Sequence, residues 1–120
     1  MDYVYYDTIS NGRVYVLVKE YTFYLDGKAY TIPAGHESDG TSCPKWAWHF
    51  FSPAKDIRVL ECSIIHDWLY TSHAVSRRKA DIFYKNALER LGYTFSANVA
   101  FVALRAFGWR HWKKESRKGE

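Results

Sequence analysis

Two dipeptides, Asn11-Gly12 and Asp26-Gly27, constrain the first third of this chain more than any other feature. Each lies between runs rich in β-branched and aromatic residues, and each suits the positive φ angles of a tight hairpin turn. Strands are therefore expected over 3–7, 13–18 and 21–32, the last folding on itself as 21–25 and 28–32. Val14, Val16 and Val18 alternate with Tyr15 and Leu17, so the second strand is apolar on both faces and can be covered on each. A small antiparallel meander follows. Beyond it, Pro33, Gly35, Gly40 and Pro44 exclude a regular element, and the segment 33–44 is expected to be a loop. It carries His36, Glu37, Ser38, Asp39, Thr41 and Ser42. These oxygen and nitrogen groups can serve a site, or can simply bond their own backbone.

After Ser52-Pro53 the apolar period changes from two to helical spacing. A helix is expected from about Asp56 to Ser72, with Ile57, Leu60, Ile64 and Trp68 as its apolar stripe. Ser76 is the expected N-cap of a second helix running to about Leu91, stopped by Gly92, with Ile82, Phe83, Ala87 and Leu91 inward. A third, from about Ser96 to Phe107, is apolar nearly all round, which implies burial on most sides or a partner. The fold class is α+β: a small N-terminal antiparallel β-meander packed with about three C-terminal helices. With 120 residues, 48% of them hydrophobic, one globular domain over 1–108 is expected, not a disordered chain. Residues 109–120 form a basic tail that frays.

Charge narrows the function. Residues 1–108 carry 12 Lys/Arg against 11 Asp/Glu, and residues 109–120 carry 5 against 2. The body is nearly neutral, whereas nucleic-acid binding needs a basic face on the domain itself, so that class is not expected. The N-terminus lacks the basic start and apolar core of a signal peptide, and no apolar run is long enough to span a bilayer. Cys43 and Cys62 make neither a disulfide framework nor a Cys-x-x-Cys site, and are read as reduced thiols. In Lys45–Phe51 five of seven residues are aromatic rings, counting His49, a cluster suited to core, partner surface or membrane interface.

The candidate chemistry is in Cys62-Ser-Ile-Ile-His66-Asp67-Trp-Leu-Tyr70 and Arg78-Lys-Ala-Asp81-Ile-Phe83. Residues four apart share a helix face, so Cys62, His66 and Tyr70 should line one side, with Asp67 turned about 100° away. If the next helix folds back, Asp81 can reach the imidazole and fix its tautomer, as a carboxylate does in a catalytic triad. A histidine so held is equipped for general-base work at neutral pH. The alternatives are a buried histidine bonded to a carbonyl and a salt bridge from Asp81 to Lys85. Asp67 is better placed to bind a cation or cap a loop than to orient His66. His73 is read as surface, and His49 and His111 as incidental. Ser42 or Cys43 could act as a nucleophile only if the fold delivered it to His66, so an activated water is the more economical choice. A catalytic pair should open to solvent; a structural one should be sealed under the third helix.

Tyr30-Thr-Ile-Pro-Ala-Gly-His-Glu-Ser-Asp-Gly-Thr-Ser-Cys-Pro44, with His66-Asp-Trp-Leu-Tyr70 and Arg78-Lys-Ala-Asp-Ile-Phe83, resembles a small family of phage and prophage proteins catalogued as a domain of unknown function. The resemblance implies a phage origin, hence a place in the host cytoplasm or in the virion. The family usually has Phe where this chain has His36 and Val or Ile where it has Cys43, so neither is expected to be central. More locally, His66-Asp67-x-x-Tyr70 followed by Asp81-x-Phe83 is similar to the paired helices of phospholipase A2. That likeness implies His66 as the base that activates water, Asp67 as a Ca²⁺ ligand, Tyr70 as support and Asp81 as the group orienting His66. It also makes the 35–42 loop, with Asp39, a candidate calcium loop. The chain departs from that family in its helix cysteines, its loop glycines and the loop-to-helix distance. Two kinds of function are thus expected. One is a hydrolase of a cell-envelope ester or amide, acting at a membrane or wall surface through the aromatic run and basic tail. The other is a non-catalytic protein, either a virion component among phage structural proteins or a binder of a host factor.

Overall fold

The computed structural model describes residues 1–7, 13–38 and 56–112. The chain divides into two compact units, Met1–Gly40 and Thr41–Glu120. The architecture is α+β, with antiparallel strands in two small sheets followed by three helices.

In the first unit, β1 (Tyr3–Asp7) pairs antiparallel with β2 (Arg13–Leu17), placing Tyr5 opposite Tyr15. The Tyr3 and Tyr5 rings flank that of Tyr15 at 5.6 and 6.1 Å, an aromatic ladder of the kind that stabilises paired strands. β3 (Tyr21–Leu25) and β4 (Lys28–Ile32) form the expected hairpin. Asp26 and Gly27 both take positive φ, 53° and 76°, as a type I′ turn demands. Phe23 stacks on Tyr30 across it at 5.6 Å.

The strands do not make one continuous meander. The second neighbour of β2 is β5 (Glu37–Ser38), within the segment expected to be wholly loop. Gly35, at φ 92°, makes the turn that lays this segment on the edge of β2. Its N–H donates to the Leu17 carbonyl at 2.7 Å, and the Leu17 N–H donates to the His36 carbonyl at 3.0 Å. A free strand edge recruits backbone more strongly than composition forbids it.

The second unit contains α1 (Ile57–Ser72), α2 (Arg77–Arg90) and α3 (Thr94–Phe107). Asp56 caps α1 by accepting from the Arg58 N–H at 2.9 Å. Its other oxygen accepts from the Tyr93 hydroxyl at 2.8 Å, tying the start of α1 to the residue before α3. Ser76 caps α2 as expected, accepting from the Lys79 N–H at 3.2 Å. Gly92, at φ 95°, closes it. α2 packs on both other helices. Val59, Tyr84, Leu88, Ala97, Ala100, Ala103 and Leu104 form a buried cluster at the seam, where three alanines on α3 let its backbone approach closely.

The inward faces differ from those the apolar spacing suggested. On α1 the buried residues are Val59, Ser63, Ile64, Ile65, His66, Leu69 and Tyr70, while Ile57 is 62% exposed. On α2 they are Ala80, Asp81, Tyr84 and Leu88, while of the expected Ile82, Phe83, Ala87 and Leu91 only Phe83 and Leu91 pack against the core cluster, and both are partly buried. In both cases polar side chains occupy core positions. The start of the expected tail, residues 109–112, forms a further helical turn, with the Trp112 N–H donating to the Gly108 carbonyl at 3.1 Å. Asn11-Gly12, Asp39, Ser42, Cys43, the aromatic run 45–51 and the tail from 113 lie outside the described residues.

Candidate functional site

His66 sits in the middle of α1 and Asp81 in the second turn of α2. The four residues between those helices bring the two side chains together. His66 Nε2 lies 3.0 Å from Asp81 Oδ1. The Tyr70 hydroxyl, one turn along α1, donates to the same oxygen at 2.5 Å. The other oxygen, Oδ2, accepts from Arg105 of α3 at 2.9 Å. Arg77 stands 3.9 Å from Oδ2 and donates instead to the Leu104 carbonyl at 2.9 Å. Three helices therefore converge on one carboxylate.

Asp81 is fully buried, and burial alone would raise its carboxyl above the ordinary range. Hydrogen bonds from His66 and Tyr70, then the charge of His66 and the Arg105 bond, outweigh this and hold it below that range. Asp81 is therefore an anion, and anions only accept. It follows that Nε2 carries the proton it shares with Oδ1, and that a neutral His66 has its lone pair on Nδ1. Burial, followed by the hydrogen bond and charge of Asp81, pushes the Tyr70 phenol well above its ordinary value, so Tyr70 acts only as a donor.

The imidazole is enclosed as well as anchored. His66 is 2% exposed and Asp81 0%. The ring lies 4.4 Å from that of Tyr70 and 5.2 Å from that of Tyr84, centroid to centroid. The Tyr84 hydroxyl pairs at 2.8 Å with Ser63 Oγ, which donates on to the Val59 carbonyl at 3.1 Å. Gly108 lies against the Tyr70 hydroxyl. A Cβ built there would stand 2.5 Å from both the Tyr70 hydroxyl and the Leu104 carbonyl.

The structure thus joins His66, Tyr70 and Asp81, as the sequence predicts. Lys85 is not the partner of Asp81; it pairs with Glu89 at 3.7 Å. Asp67 is half-buried on α1. Among the described residues no three His, Cys, Asp or Glu side chains group to hold a metal. Cys62 is half-buried, and burial with the nearby Glu61 pushes its thiol up to about 11, which removes it as a thiolate nucleophile. His73 is not a simple surface residue. It closes α1 in a left-handed conformation at φ 56°, and its ring stacks on Trp112 at 3.7 Å, 2° from parallel. Its Nε2 is buried with no hydrogen-bond partner among the described residues.

Arg105 was not foreseen. A signal existed, because it is the only charged residue in Thr94–Phe107. A lone cation in an apolar helix needs an anion, and a buried anion needs a cation.

The family model described as "Protein of unknown function (DUF1353)" matches residues 15–104, and the chain belongs to that family. No curated protein and no solved structure matches it.

Proposed function

We propose that this chain is a small hydrolase of phage origin in which His66 is the general base, acting through Nδ1 on a water molecule. The observation that supports this reading is the shared acceptor. Asp81 Oδ1 takes a hydrogen bond from both Nε2 and the Tyr70 hydroxyl, which fixes the tautomer a base requires. Asp81 orients the ring and stabilises the imidazolium formed when water gives up its proton. The substrate class is an ester or amide of the cell envelope, reached at a membrane or wall surface. Asp67 is a proposed ligand of a calcium ion, consistent with the preference of Ca²⁺ for oxygen donors.

The pair is sealed, His66 2% and Asp81 0% exposed with the imidazole between two tyrosine rings, which is what a structural pair and not a catalytic one is expected to show, and this favours a second reading. In it, the protein is a non-catalytic assembly component or binder, and the network is a buried polar staple. Hydrolysis of a short-chain chromogenic ester, of phospholipid vesicles and of cell-wall fragments by wild type and His66→Gln separates the two, with and without Ca²⁺. Turnover lost in a folded variant supports the hydrolase. Absence of turnover in wild type, or equal turnover in both, overturns it and leaves the staple.

A further inference from the structure

We propose that Arg105 is a positioning residue for His66, a role that rests on the hydrolase reading for its chemical consequence but not for its geometry. A carboxylate held by one oxygen can swing about its last torsion, which is broad and nearly two-fold. In Asp81 that freedom is removed. Oδ1 is held from α1 by His66 and Tyr70, and Oδ2 is held from α3 by Arg105 at 2.9 Å. Arg105 bonds to the carboxylate oxygen opposite the one that His66 holds, and so acts through the plane of the carboxylate.

The placement of Arg105 is itself enforced. Leu104, the preceding residue, is 1% exposed in the seam cluster, and Ala103 is 5% exposed. Their burial sets the rotation of α3 and so aims Arg105 at Asp81. Among the described residues the other charged group near Oδ2 is Arg77, which is engaged by the Leu104 carbonyl and stands too far off for a hydrogen bond. Among the described residues, the short bond to Oδ2 comes from Arg105 alone.

If Asp81 turns, Nε2 loses its fixed acceptor and the tautomer with the proton on Nδ1 becomes accessible. That tautomer carries its lone pair on Nε2, inside the network, where it cannot take a proton from water. Arg105 thus selects which nitrogen is the base.

The test is the nitrogen–proton correlation spectrum of the His66 ring at about pH 8, above the ordinary imidazole range, in wild type, Arg105→Met and Arg105→Lys. Wild type should show one tautomer, protonated on Nε2. Arg105→Met should show a mixture, and Arg105→Lys should recover most of the single form. Where the wild type hydrolyses ester, kcat should fall about tenfold in Arg105→Met with KM unchanged. A single unchanged tautomer in Arg105→Met overturns the inference whether or not the protein is a hydrolase. A mixed tautomer alongside a wild type with no turnover upholds the positioning role and ends the hydrolase reading. Should Arg105→Met fail to fold, Arg105→Gln carries the same test, and an unmixed ring in that variant overturns the inference equally.

Discussion

The three helices bury two neighbouring regions built on opposite principles. At the seam, Val59, Leu88, Ala97, Ala100 and Leu104 meet through shape and exclusion of water. Beside it, His66, Tyr70, Asp81 and Arg105 meet through directed bonds to one anion. Apolar contacts degrade gradually, because each lost methylene forfeits only its own burial and leaves a cavity in proportion. A buried ionic network does not. Removing one member strands the others without partners in a medium that cannot solvate them. The seam supplies stability, and the network supplies a single arrangement.

The largest expected effect sharpens this contrast. Asp81→Ala leaves Arg105, Tyr70 and His66 facing an empty acceptor and should cost about 3–5 kcal/mol, read as a lower denaturant midpoint. A loss below about 1 kcal/mol would place Asp81 among ordinary surface carboxylates. Leu88→Ala, at the centre of the seam, should cost about 2–4 kcal/mol by cavity formation, and Leu88→Met should recover most of that. If Leu88→Ala proved the more damaging, the ranking of the two regions would be reversed.

Acid should weaken the network. The Asp81 carboxyl is held below its ordinary value in the folded state, so its contribution is fully present above the unfolded value of about 4 and is lost as pH falls through the folded one. Thermal melts of Asp81→Asn between about pH 6 and pH 2 should therefore fall less steeply than those of wild type. Parallel curves would show that other groups govern acid unfolding. At the edge of the network, Tyr84→Phe removes the bond to Ser63 while keeping the ring in the seam, and should cost about 1 kcal/mol. Ser76→Ala, remote from both regions, should cost about 1 kcal/mol through the α2 cap and leave the His66 ring spectrum untouched.

How much of this could be read from the residues alone follows the same division. Turn and cap chemistry was legible at Asp26-Gly27, Ser76 and Gly92, which act through local backbone geometry that tertiary contacts did not override. The union of His66, Tyr70 and Asp81 was legible from helical spacing and a short connection. The inward face of α2 was not, because Asp81 and Tyr84 look like surface residues until the groups that satisfy them are known. β5 was missed because two residues paired to β2 leave no periodic trace. Arg105 was missed because its meaning lies in a partner 24 positions away.

Gly108 holds ordinary helical angles, φ −63° and ψ −22°, that any amino acid adopts, so its need for glycine is one of room and not of torsion. A single added methyl would collide at once with the hydroxyl that serves Asp81 and with the carbonyl that ends α3. The chain therefore cannot thicken here without disturbing Tyr70 and the end of the third helix together, just before Trp112 lays its ring on His73. One hydrogen atom's worth of space is the gatepost between the helical body and everything that follows it.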